Sequence, residues 1–112
     1  MTKSERATAI VTGSSRGVGA ATAIKLASKG WNVTITCSSS EKEAIEVSEE
    51  CKSLGGETLV IKSDVSEEKN CKDVVDQTIK KWGRLDALIN NAGTTKFNAH
   101  ENLSGLTSED FL

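Results

Sequence analysis

Apolar residues along this chain alternate between two patterns. Short runs rich in aliphatic and β-branched residues are separated by longer stretches in which apolar positions recur every three or four residues. The runs are "ATAIVT" (7–12), "NVTITC" (32–37), "ETLVIK" (57–62) and "LDALIN" (85–90), and their β-branched and aliphatic content reads as strands. Between them, 16–29 places Ala20, Ala23, Ile24 and Ala27 on one helical face, with Gly30 as its stop. A second helix is predicted from Ser40, with Glu43 completing a capping box, Ala44, Val47, Cys51 and Leu54 at helical spacing, and Gly55-Gly56 as its end. A third is predicted after Ser66 as cap, with Glu67 and Glu68 in its first turn. Cys71, Val74, Val75, Thr78, Ile79 and Trp82 form its apolar face, and Gly83 stops it.

The order is therefore β-α-β-α-β-α-β with short connections. It predicts an α/β architecture with a parallel sheet covered on both faces and joined by right-handed crossovers. Nearly continuous apolar strands agree, because a parallel sheet is buried on both sides. After Gly93 the pattern weakens: "TTKFNAHENLSGL" reads as a loop and "TSEDFL" as the first turn of a helix starting near Ser108. The expectation is a single incomplete domain over 1–112, ending inside that helix.

Composition narrows the function. The chain has 112 residues and a net charge of −2. With no basic run, nucleic acid is not expected as a partner. No apolar stretch approaches the roughly 18 residues that span a bilayer, and the short N-terminal run leads straight into a glycine turn rather than a cleavage site. The expectation is a cytoplasmic protein with no membrane partner. Cys37, Cys51 and Cys71 are widely spaced, and a single histidine, His100, is too little for a usual zinc site. Reduced thiols and no metal are expected.

The candidate chemistry sits in "TGSSRGVG" (12–19), between the first strand and the first helix. A helix N-terminus presents unpartnered N–H groups and the positive end of its dipole, so it attracts phosphate. Gly13 permits a tight exit from the strand, Gly17 a close approach of backbone to phosphate, and Gly19 close packing of helix on strand. The hydroxyls of Ser14 and Ser15 could add donors. No Lys-Ser or Lys-Thr follows the last glycine, so the turn is not a P-loop.

Three motifs, in order and each at a strand end, carry a resemblance. "TGSSRGVG", "SDV" (63–65) and "NNAG" (90–93) resemble the short-chain dehydrogenase/reductase family. Within it, the glycine turn and the "CSSS" strand end are most similar to 3-oxoacyl-[acyl-carrier-protein] reductases. The resemblance implies a Rossmann-type doubly wound sheet, here in strand order 3-2-1-4 out of about seven strands. It implies that Gly13, Ser15, Arg16, Gly17, Val18 and Gly19 surround the pyrophosphate and adenine ribose of a dinucleotide. Asp64 would hydrogen-bond the adenine amino group, Val65 would flank the ring, and Asn91, Ala92 and Gly93 would line the way to the nicotinamide.

An NAD site wants an acid near the end of the second strand. None occurs in 32–40, and Arg16 and Ser38 could donate to a 2′-phosphate. NADP is therefore expected over NAD. The family's catalytic tyrosine has no counterpart, because the chain contains no tyrosine. Lys25, Lys29, Lys80 and Lys81 lie on predicted helices and are not candidates for its lysine. The expected function is the cofactor-binding N-terminal half of an NADP-dependent oxidoreductase that reduces a ketone, inactive as 1–112 alone. The alternative is a non-catalytic nucleotide-binding or regulatory module. The fourth strand would be left as an apolar edge, so a homo-oligomer or association with a C-terminal half is expected.

Overall fold

The computed structural model describes residues 5–15, 17–39 and 41–91. It contains β1 (Thr8–Val11), α1 (Gly17–Ser28), β2 (Asn32–Cys37), α2 (Glu41–Ser53), β3 (Glu57–Lys62), α3 (Glu68–Trp82) and β4 (Ala87–Ile89). The strands form one parallel sheet in the order β3-β2-β1-β4, which is the predicted Rossmann-like topology. The loop and helix expected beyond residue 93, and the proposed cap at Ser40, lie outside the described residues.

Strand alternation divides the apolar residues between two faces. Ile10, Ile61 and Leu88 pack with Val65, Cys71, Val74, Val75 and Leu85 on the α3 side. Val11, Val33, Ile35 and Cys37 pack with Ala23, Ala27, Ala44, Val47 and Cys51 on the α1 and α2 side. Small residues on α1 let that helix lie close to the sheet, whereas α3 fills its side with valines. All three cysteines are free and buried. Burial pushes the Cys51 thiol up to about 11, so it stays a protonated, apolar core group.

Several buried polar side chains are paired across elements. Thr34 of β2 and Thr78 of α3 share a hydrogen bond of 2.7 Å between hydroxyls, and Asn32 donates to Thr8 Oγ1 at 3.0 Å. At the N-terminal edge, Arg84 holds Asp86 through two 2.7 Å contacts, and Asp86 accepts from the Thr8 amide at 2.8 Å. This pair fixes the entry to β4 against the start of β1.

Two local expectations need correction. Ser66 does not cap α3: the helix starts at Glu68 with Glu67 in the cap position and no side-chain cap bond. The Ser66 amide and hydroxyl are both committed to the Asp64 carboxylate, a side-chain turn that competes with capping. β1 and β4 are also shorter than 7–12 and 85–90, although Thr12 N–H still reaches Ile89 O at 3.0 Å before the chain leaves the sheet. The stop at Gly83 holds, with φ 75° and its N–H donating to Ile79 O at 2.6 Å.

Candidate nucleotide-binding crevice

Because every strand is parallel, the C-terminal ends of β1, β2, β3 and β4 share one edge. Neighbouring β1 are β2 on one side and β4 on the other. The chain therefore departs in opposite directions on either side of β1, which opens a crevice at this switch point. The glycine turn lies there.

Its conformation is fixed by β2. Gly13 N–H donates to Thr36 Oγ1 at 3.1 Å, and Ser14 N–H to Thr36 O at 3.2 Å. Ser14 Oγ donates to Val11 O at 2.6 Å and accepts from Thr36 N–H at 3.1 Å. Ser14 is fully buried, so it is not the phosphate donor its position in the motif invites; it locks the turn. Ser14→Ala would remove the buried hydroxyl's bonds to the Thr36 amide and the Val11 carbonyl. It should cost about 1–3 kcal/mol in urea unfolding, and a smaller loss than 1 kcal/mol would show that neither group depends on the hydroxyl.

With the first two amides of the turn committed, the donors left for an anion are those of Ser15 and the first turn of α1. Gly17 and Gly19 serve them differently. Gly17 has φ +63°, and a Cβ there would meet nothing within 4 Å, so the space before it is open to a ligand. Gly19 is buried: a Cβ would collide with the Gly13 carbonyl oxygen and stand 2.7 Å from Asn91 Nδ2. Asn91 closes the arrangement from β4, with its N–H on Thr12 Oγ1 at 2.9 Å and its side-chain amide on Gly13 O at 3.3 Å. Thus Gly13, Ser15, Gly17, Val18, Gly19 and Asn91 come together. Val18 is 73% exposed and offers the site its backbone. Arg16, Ala92 and Gly93 lie outside the described residues.

The crevice continues over Gly13, Thr36, Cys37 and Ser38 to Ser63, Asp64, Val65 and Ser66. Ser38 is exposed at the end of β2. Hydrogen bonds from the Ser66 hydroxyl and amide hold the Asp64 carboxyl below the usual carboxylate range, so it is a charged acceptor at neutral pH. Val65 is 7% exposed and belongs chiefly to the α3-side core, with an edge on the crevice. Thr36, Cys37 and Ser63 were not anticipated as lining. Their signal was positional: they are at or just after strand C-termini, where this topology places its ligands.

Amide donors at one end and a carboxylate with hydroxyls at the other suit an elongated ligand with an anionic part and a donor-bearing part. Among the described residues no group of three or more His, Cys, Asp or Glu could hold a metal, and no helix is long and apolar enough to cross a membrane.

The family model of the short chain dehydrogenases matches residues 7–111. The chain is 39% identical over 90 residues to 3-oxoacyl-[acyl-carrier-protein] reductase FabG of Staphylococcus epidermidis, covering 80% of this chain and 37% of that protein. It is 39% identical over 103 residues to the short-chain dehydrogenase/reductase GME11373 of Pestalotiopsis microspora, covering 92% and 38%. Among solved structures, a short-chain dehydrogenase/reductase from Burkholderia xenovorans superposes with a TM-score of 0.78 at 35% identity, covering 96% of this chain and 44% of that one. The NADH-dependent reductase A1-R′ complexed with NAD superposes with a TM-score of 0.73 at 28% identity, covering 79% and 36%. The chain thus spans less than half the length of these relatives.

Proposed function

The chain belongs to the short-chain dehydrogenase family, and on that premise we propose that it is the cofactor-binding N-terminal portion of an NADP-dependent reductase acting on a carbonyl compound. The observation that carries the reading is the open space before Gly17, at a helix N-terminus facing a crevice that ends at an ionised Asp64. A pyrophosphate fits the first and an adenine amino group the second. Gly13, Ser15, Arg16, Gly17, Val18 and Gly19 would hold the pyrophosphate and ribose. Asp64 would accept from adenine, and Val65 would flank the ring. Asn91, Ala92 and Gly93 would line the approach to the nicotinamide. When bound, the cofactor supplies the hydride; these residues bind and orient it, and none is assigned a proton-transfer role.

Two observations support NADP. Ser38 stands exposed at the end of β2, and no acid occurs in 32–40 to repel a 2′-phosphate. The similarity to a 3-oxoacyl-[acyl-carrier-protein] reductase supports a ketone substrate. The outer edge of β4 has no partner among the described residues, which supports pairing with further chain or a second copy. Buried free thiols fit a reducing compartment, and the proposal places the protein in the cytoplasm.

Titration calorimetry with the two reduced cofactors tests the reading. NADPH should bind more tightly than NADH, and Arg16→Ala should weaken NADPH selectively by about 1–3 kcal/mol. Equal losses for both cofactors would remove Arg16 from the 2′-phosphate. Binding of neither would overturn the nucleotide assignment.

A further inference from the structure

Two opposite charges, Lys62 at the end of β3 and Glu41 at the start of α2, flank the C-terminal end of β2. Parallel register sets Lys62 opposite Cys37, and Ser63 N–H donates to Cys37 O at 2.8 Å. Cys37, Ser38 and Ser63 are crevice wall. Along β3, Ile61 belongs to the α3-side cluster and Val60 packs against the opposite one. Alternation therefore sends Lys62 out on the α1 and α2 side, where it is exposed. Glu41 opens α2 on that same side and is also exposed. Both charges act on the Cys37 thiol: after the dominant effect of burial, Glu41 raises its pKa and Lys62 lowers it. They thus approach the same strand end, one residue from Ser38. Neither is engaged in a hydrogen bond or ion pair among the described residues.

We infer that Lys62 and Glu41 act in opposition to set how strongly the crevice prefers a 2′-phosphorylated adenosine over one with a free 2′-hydroxyl. The inference rests on the dinucleotide reading above. A 2′-phosphate beside Ser38 lies within a Debye length, about 10 Å at moderate salt, of whatever charge reaches Cys37. Lys62 attracts it and Glu41 repels it. Glu41 falls one residue beyond the segment whose lack of acids favours NADP, and α2 brings it back to the strand end. The cofactor preference is then a balance in which a cation on the neighbouring strand offsets a nearby acid.

Adenosine 2′,5′-bisphosphate and 5′-AMP are the probes, titrated calorimetrically into the whole protein. Lys62→Ala should weaken the bisphosphate roughly two- to fivefold and leave 5′-AMP unchanged. Glu41→Gln should strengthen the bisphosphate by a similar factor, and Lys62→Arg should keep the parental ratio. Raising the salt should shrink both differences, which a purely structural role for either exposed side chain would not produce. If the parent binds both nucleotides and neither charge variant moves their ratio, the inference is overturned while the dinucleotide reading stands. If the parent binds neither nucleotide, both fall together.

Discussion

Gly19→Ala should abolish dinucleotide binding and cost the fold about 1–3 kcal/mol. The added methyl has no free volume. It would overlap the Gly13 carbonyl oxygen, which is backbone and cannot yield cheaply, and press on Asn91 Nδ2 at 2.7 Å. Gly13 is held by its amide on Thr36 Oγ1, and Asn91 by its amide on Thr12 Oγ1. Relief requires α1 to retreat from β1, which moves the very N–H groups an anion would use. A domain with only about 5–15 kcal/mol of stability will register that shift in urea unfolding and in nucleotide titration. Gly17→Ala is the contrasting variant. Its methyl enters open space but must adopt a positive φ, a strain of about 1–2 kcal/mol, and it occupies the position proposed for phosphate. It should lose binding while keeping the β1–β4 contacts. A Gly19→Ala protein that melts and binds like the parent would refute this packing account.

Residues 1–112 alone should reduce no ketone, even with saturating NADPH. Hydride transfer builds negative charge on the carbonyl oxygen, and a positioned general acid is typically worth about 10²–10⁴ in rate. The segment contains no tyrosine. Lys80 and Lys81 sit in the last turn of α3 and Lys25 in that of α1. In β-α-β units the helices run back against the strands, so these lysines end at the edge opposite the crevice. His100 lies outside the described residues. Supplying in trans the remainder found in longer relatives should restore turnover, followed by the absorbance of reduced nicotinamide. Turnover by 1–112 alone would require a different acid and overturn the proposed division of labour.

Much of the architecture was legible: "ATAIV" is a nearly continuous apolar run, and the β-branched residues of "NVTITC" mark a strand even though polar and apolar positions alternate along it. Gly17 and Gly19 were also legible, since strand, turn and helix fix what each glycine must permit. What escaped were choices between equivalent polar partners. Nothing local distinguishes Ser14, turned inward onto Val11 and Thr36, from its half-buried neighbour Ser15. Ser66 had two attainable roles, helix cap or partner of Asp64, and the closer carboxylate won. The bracing of the turn by Thr36 and Asn91 depends on strands distant in sequence, and only the assembled sheet places them.

The pairing of β1 with β4 also orders events during synthesis. β1 is the first strand made, and β2 can pair with it soon after, but its other edge is closed only by β4. The bonds that seal the turn, Thr12 Oγ1 to Ile89 O and Asn91 N–H to Thr12 Oγ1, span 77 and 79 positions. Translation delivers about 5–20 residues per second, so a nascent chain spends seconds with β1 half-paired and α1 unsupported on that flank. Such distant closure is the slow kind. The nucleotide crevice is thus finished last, from parts whose first member emerged earliest, and a chaperone that shields an open strand edge would find its substrate in that interval.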